Sequence, residues 1–436
     1  MAIDQMTIHD IAPEVLGGMD DWRIAFTVIM EPKEETGEAE TRQTVYLSRP
    51  GGYLPLEVFD VPPATGDQIW WSPNGTRVAY FVSDPDVGGL YVLDLAASTE
   101  EGFGVSTRIL ALDHLSPHGF FNPPVWSPNS SQIAITLATD WSTDIWLINH
   151  DGSGLRNVTQ SGSFDMWPVW DDQGLSLYFV SDRARCPTWQ PYAEGSCFDP
   201  DVFPLAPPVD SVGQVYHADV VTGKAERIND LWVGSAPKWI AGDRLSVTTG
   251  DGSTSSSIWT IDALTGDEVE ISPPVPASSD GIILNVEPHW SPNGEYVIYQ
   301  RAGIETELVV ANRYGDVLAT NADYNFGRFA FSADWSPDGE IIAVGGHNGQ
   351  CPRALLLFDR DLNLIREAGT PPNVCDPLFS PAGGFLAFVG IYKSIYTDGR
   401  MDLWSATEAG YGFFNITEYQ IGELHLLEWV SAKLQR

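Results

Sequence analysis

The chain has 436 residues, 43% of them hydrophobic and 19% charged, a balance that suits a folded, β-rich protein and excludes a disordered one. Its formal net charge of −36, from 59 acidic against 23 basic residues, argues against nucleic acid and against an anionic membrane surface, since Lys and Arg supply the affinity for both, and leaves cations, basic proteins or neutral glycans as partners. No apolar run is long enough for a spanning helix, and the opening MAIDQMTIHDIAPEVLGG has neither the basic start nor the apolar core of a signal peptide, so an exported form would be a mature fragment.

Residues 1–20 read as a tail. RIAFTVIM (23–30) and TVYLS, from Thr44, are the first two strong strand patterns, joined by the charged loop EPKEETGEAETRQ (31–43). A phrase then begins at WWSPNGTRVAYFV, from Trp70, and recurs as VWSPNSSQIAITL from Val125, HWSPNGEYVIYQR from His289 and DWSPDGEIIAVGG from Asp334. Its aromatic residue falls at Trp71, Trp126, Trp170, Trp290 and Trp335, with degenerate copies at Trp239 and Phe379, and successive gaps lie between 44 and 69 residues. That is the period of a four-stranded unit that cannot bury its faces alone.

Each copy reads alike. A short strand ends at the aromatic residue. A tight turn follows, in which Pro presets φ and Gly tolerates φ > 0. A second strand, such as RVAYFV, is apolar on both faces, as in a sheet covered on both sides. A third strand comes next, then a Gly- or Asp-containing turn and a fourth. Third strands begin at Thr44, Leu90, Asp144, Gln214, Ser257, Leu308, Ala354 and Met401. HLLEW (425–429) is a first strand with nothing after it. The expected fold is all-β: a β-propeller of eight blades of four antiparallel strands. Its ring is closed by the C-terminal strand joining the N-terminal blade, which removes two exposed edges. Residues 21–436 then form a single domain. Seven blades is the alternative, if the N-terminal segment packs differently.

The phrases WSPNG and WSPDG, followed by a β-rich run and then by IWTID or LYVLD, resemble the WD-like repeats of TolB-type β-propellers over roughly residues 22–430. The resemblance implies a bacterial cell-envelope or secreted setting and a role in protein–protein contact. Related propellers serve as accessory domains of prolyl-oligopeptidase-like peptidases or as lyases on pectic sugars. TolB itself carries a small α/β domain ahead of its propeller. The roughly twenty residues before the first strand leave no room for one here, which speaks against a Tol–Pal role.

In a propeller the first-to-second and third-to-fourth turns share one rim, and here they are short. The second-to-third loops and the links between blades share the other, and they are long and unequal: residues 31–43, 111–122, 183–213, 272–285 and 390–400. Long loops on a rigid scaffold carry binding function, so the long-loop rim is the expected functional face. Its largest insertion, ARCPTWQPYAEGSCFDPDVFPLAPPVDSVG from Ala184, offers Trp189 and Tyr192. GIYKSIYTDGR offers Tyr392 and Tyr396. These aromatics either stack on a sugar or peptide or pack their own loops.

Four cysteines allow three pairings, and their spacing alone does not choose among them. The propeller arrangement favours Cys186–Cys197 and Cys351–Cys375. Metal ligation is the rival reading, without CxxC spacing or clustered His to support it. Paired cysteines place the protein in an oxidising, extracytoplasmic compartment. Asp67, Asp165, Glu287, Asp334 and Asp376 stand near the entry of the inner strands and could ring the channel mouth. Such a ring could hold Ca²⁺, which takes six to eight oxygen ligands and which the resemblance makes reasonable. Ordinary turn-capping acids would look the same.

Catalytic signatures are missing from the sequence. There is no GxSxG or HExxH, and Pro117 separates His114 from His118. The expected function is a non-enzymatic extracytoplasmic propeller that binds a protein or peptide partner through the long-loop rim, within a surface assembly. The alternative is a polysaccharide lyase or hydrolase working on a glycan at the channel mouth. The chain's scarcity of lysine and clustered His weighs against it.

Overall fold

The structure is a computed structural model that describes residues 7–8, 22–30, 41–50, 55–61, 68–84, 86–99, 102–111, 122–138, 141–199, 212–250, 256–273, 282–303, 305–324, 326–347, 349–369, 371–392, 400–418 and 422–431. Among these residues every regular element is a strand. Asp67 and Tyr396 lie outside the described residues, as do most of residues 31–43, 111–122, 272–285 and 390–400.

The strands form seven hydrogen-bonded sheets. Five are four-stranded, each running in chain order from first to fourth strand (residues 69–111, 125–157, 165–233, 238–272 and 284–321). One sheet of eight strands consists of two such groups, 331–367 and 373–415, joined by a single parallel pair between Gly346 and Cys375. The remaining sheet takes Trp22–Met30, Arg42–Ser48 and Leu56–Val61 from the N-terminal part. Glu423–Ser431 pairs antiparallel beside Trp22–Met30, in the register Trp22↔Ser431 to Ile29↔Glu423. Thr7–Ile8 adds an outer fifth strand against Leu56–Val61. The chain is thus an all-β propeller-type protein built of four-stranded antiparallel sheets.

The eight third strands read from the sequence are each a strand paired on both sides: Arg42–Ser48, Gly89–Thr99, Thr143–Asn149, Gly213–Asp219, Ser257–Asp262, Thr306–Asn312, Leu356–Phe358 and Met401–Thr407. Their second-strand neighbours are buried on both faces. Val78, Ala79 and Tyr80 are all wholly buried, as are Ile133, Ala134 and Ile135. The reason is that the core lies between sheets. One apolar cluster joins Ala25, Val45 and Phe59 to Val78, Tyr80 and Leu93. Another joins Ala79, Leu90 and Val92 to Ile133 and Ile135. The cluster of Ile24, Phe26, Val28 and Tyr46 takes its other half from Ala387, Leu403 and Ile416, near the opposite end of the chain. A strand flanked by two such layers must be apolar at successive positions, which explains runs such as RVAYFV.

The recurring turn is held by its polar residues as much as by Pro and Gly. In Ser-Pro-Asn/Asp, the Ser Oγ donates to the Asx Oδ1: Ser72 to Asn74 at 2.9 Å, Ser127 to Asn129 at 2.8 Å, Ser291 to Asn293 at 2.8 Å and Ser336 to Asp338 at 2.6 Å. The same Oγ accepts the N–H five residues on, at Arg77, Gln132, Tyr296 and Ile341. The Asx oxygen accepts the N–H two residues on. Each turn closes with all three polar groups satisfied, an Asx-turn arrangement. Turns of neighbouring sheets also touch, because the Asn74 N–H donates to Ser130 Oγ at 3.1 Å. Gly294 has φ of +69°, and a Cβ there would stand 2.7 Å from the Ala241 carbonyl oxygen, so both conformation and space demand glycine.

Candidate binding surfaces

In four cases the aromatic anchor ties its first strand to the one before it. Indole Nε1 of Trp126 donates to the Trp70 carbonyl at 3.1 Å, Trp170 to Val125 at 3.0 Å, Trp335 to His289 at 2.9 Å and Trp429 to Leu378 at 3.0 Å. Trp290 donates to Ser246 Oγ at 2.9 Å. The acceptor carbonyl belongs in each of the four cases to the residue just before the preceding aromatic anchor. At this pre-anchor position stand Lys238, His289, Asp334 and Glu428.

Burial shifts three of these titratable groups toward their neutral forms. His289 is pushed down to about 3, by burial first and then by the charges of Lys238 and His347. Its Nε2 has no partner among the described residues, and its ring packs edge-on against Phe331 at 5.6 Å. Burial lifts the Asp334 carboxyl to about 6, against the pull of the Phe379 N–H, which donates to Asp334 Oδ2 at 2.7 Å. Burial alone lifts Glu428 to about 7. His289 is therefore an uncharged packing residue on its first strand.

The acids proposed for a cation fall at different places. Asp165 is fully buried, and one of its oxygens lies 2.6 Å from Arg183 Nη2. Arg183 in turn lies over the Tyr216 ring at 4.8 Å. Glu287 and Asp376 occupy bulges in their first strands, with φ of 53° and 49°, as does Trp167 at 56°. Each of the three precedes a proline, Pro288, Pro377 and Pro168. The x-Pro-x-aromatic spacing is the sequence signal of this bulge, which forces a non-glycine residue into the left-handed region. Asp376 Oδ1 lies 2.5 Å from His347 Nδ1. Among the described residues no three His, Cys, Asp or Glu side chains stand close enough together to hold a metal ion.

Both disulfides are formed, Cys186–Cys197 and Cys351–Cys375, with Cα atoms 5.8 and 5.1 Å apart. The first closes the insertion that carries Trp189 and Tyr192, and the two aromatics do opposite things. Trp189 is buried. Its Nε1 donates to Asp182 Oδ2 at 2.8 Å, and its ring packs on Phe164 at 5.7 Å. Asp182 also accepts the Phe164 N–H at 2.8 Å, so Trp189 is the foot of the loop on its own sheet. Tyr192 sits at the tip, 96% exposed, with φ of 64°. Tyr392, 40% exposed, ends another described stretch of this rim.

A groove of about 390 Å³ lies on the opposite, short-turn rim, between the sheets of residues 165–233 and 238–272. Tyr178 forms its base, with Trp239 and His217 beside it at ring distances of 5.4 and 5.2 Å. Tyr178 donates its hydroxyl to the Ala263 carbonyl of the next sheet at 3.3 Å. Burial, then the charges of Asp171, Asp243 and Asp262, push that hydroxyl up to about 12. This surface was not foreseen from the sequence. Its residues come from three turns and two sheets, and only the degenerate phrase KWIAGD at Trp239 marks the place. The Nε1 of Trp239 finds no partner among the described residues.

No family model matches the chain. Among curated proteins it is similar to a TolB homolog of Chlorobium luteolum, 31% identical over 112 residues, which is 26% of this chain and 23% of that one. It is also similar to an uncharacterized protein of Agrobacterium fabrum, 27% identical over 173 residues, 39% of this chain and 49% of that one. The chain thus spans less than half the length of these relatives. Among solved structures, a eukaryotic initiation factor superposes with a TM-score of 0.55 at 13% identity, over 95% of this chain and all of that one, a likeness of fold alone. In its repeated phrase, in its four-stranded antiparallel sheets and in these relatives, the chain resembles the TolB-type, WD-like repeat β-propeller family.

Proposed function

We propose that the protein is an extracytoplasmic binding scaffold: an eight-bladed propeller, closed by its C-terminal strand, that holds a protein partner on the long-loop rim. Eight four-stranded groups, the pairing of Glu423–Ser431 with Trp22–Met30, and the apolar cluster shared by residues 24–46 and 387–416 support the closed ring. Two disulfides support an oxidising compartment, and no helix among the described residues is long and apolar enough to cross a membrane. The TolB homolog among the relatives supports protein contact.

The observation that carries the choice of rim is the stapled loop of residues 186–197. It buries Trp189 as a foot, which makes the loop rigid, and it presents Tyr192 fully to solvent. A pre-ordered aromatic at a loop tip contributes binding energy at little entropic cost. Tyr396 and Asp67, outside the described residues, stay candidates from sequence alone, and Asp165, Glu287, Asp334 and Asp376 do not gather into a Ca²⁺ cluster among the described residues. The test places a photo-crosslinking residue at position 192 and, in a second protein, at position 155 on the other rim. Discrete protein adducts from an envelope fraction at 192, lost when the disulfides are reduced, are the expected result. Equal labelling at both positions, or none at 192, overturns the proposal.

A further inference from the structure

The short-turn rim carries a second surface with its own chemistry. Besides Glu226, three carboxylates border the groove there: Asp171, Asp172 and Asp243. None of them has a basic partner among the described residues, and Asp172 and Asp243 are exposed. The cation that does line the groove, Arg227, is already engaged by Asp230 at 2.9 Å and Gln214 at 3.1 Å. The neighbouring acid Glu226 is paired with Lys224. The groove is therefore left with uncompensated negative charge over aromatic walls.

One aliphatic side chain stands open on the groove: Leu264, 80% exposed. So exposed a leucine at a turn tip adds little to its own sheet and is free to meet a partner. Carboxylates beside aromatic faces bind a guanidinium twice over, by charge and by stacking on the ring.

We propose that this groove docks an arginine side chain from an extended segment of a partner protein, with an aliphatic residue next to the arginine seated on Leu264. The charge of the site selects against an acidic segment, and the exposed leucine selects against a free cation. The site lies on the rim opposite Tyr192 and stands independently of the long-loop reading.

The test uses a fluorescent Gly-Leu-Arg-Leu-Gly peptide, the same peptide with citrulline for arginine, and a neutral cello-oligosaccharide, each titrated against the full chain by anisotropy or calorimetry. Arginine peptide binding that weakens as salt is raised, with the citrulline peptide binding far less, is expected. The double variant Asp172→Asn, Asp243→Asn should bind the arginine peptide roughly tenfold more weakly, within the range for two exposed ion pairs. Asn tolerates the left-handed backbone at position 243, where φ is 54°, so its melting temperature should match the parent's. Tyr192→Ala should bind the peptide as the parent does. Equal affinity for the arginine and citrulline peptides overturns the proposal, as does unchanged binding by the double variant. Binding of the oligosaccharide alone overturns it in favour of a sugar groove. Loss of peptide binding in Tyr192→Ala moves the peptide to the other rim and also overturns it.

Discussion

Glu428 offers the sharpest test of how the first strands are packed. It sits just before the anchor Trp429, opposite Ala25 on Trp22–Met30, with no hydrogen-bond or ion-pair partner among the described residues. Burial alone lifts its carboxyl from 4.5 to about 7. The folded protein then holds a proton that the unfolded chain releases, so stability falls as pH rises. The contribution is intact below about 4.5, declines through the interval, and is fully lost above about 7. A shift of this size corresponds to about 3 kcal/mol. With the usual unfolding entropy per residue, a chain of 436 residues would move in melting temperature by about 3 °C. In Glu428→Gln the side chain stays neutral at every pH. Asp334 titrates in both proteins, so it cancels in the difference. Melting curves of parent and variant from pH 4 to 9 should differ by a constant offset at the acid end. Above pH 5 the variant should gain on the parent and level off near pH 8. A difference that stays flat across the range refutes the reasoning, since it would mean that Glu428 is solvated or paired and that this strand is not covered.

Other outcomes follow from the same geometry. Trp189→Ala should cost about 3–5 kcal/mol, the range for emptying a buried aromatic site, whereas Tyr192→Ala should change stability by less than about 0.5 kcal/mol; denaturant titration of the two reads the contrast directly. Trp335→Phe keeps the ring but leaves the His289 carbonyl without its indole donor, an expected loss of about 1–3 kcal/mol, measurable in the same way. Replacing Cys351 and Cys375 by Ser opens a loop of 24 residues and should lower stability by about 3 kcal/mol. Intact mass of the parent should rise by four hydrogens on reduction, and four free thiols in the native protein would refute both bridges.

The repeated phrase made most of the scaffold legible. The repeats could be located because a half-buried pattern would not satisfy a sheet covered on both faces, and second strands such as RVAYFV are apolar at successive positions. The turn was legible through Pro and Gly. The part played by Ser and Asx was not, because the bond from Ser Oγ to the N–H five residues on exists only once the turn has closed. The disulfide partners also followed from the repeat, since strand order brings residues 351 and 375 to one rim.

The candidate surfaces were less legible, for a physical reason visible in single residues. Trp189 and Tyr192 stand three apart in one loop and are both aromatic, yet one is a foot and the other a tip. Burial depends on where Phe164 and Asp182 lie, and those come from the strands beneath the loop. Asp165, Asp334 and Asp376 look alike in sequence, but they meet an arginine, a backbone N–H and a histidine respectively. Local sequence carries the alternation, the turn chemistry and the period, because these are set by neighbours along the chain. The groove between Tyr178, Trp239 and Asp243, the lateral Trp–carbonyl ties and the raised carboxyl of Glu428 were decided by tertiary structure. Each depends on a second sheet that local pattern does not place, and on burial that only packing creates.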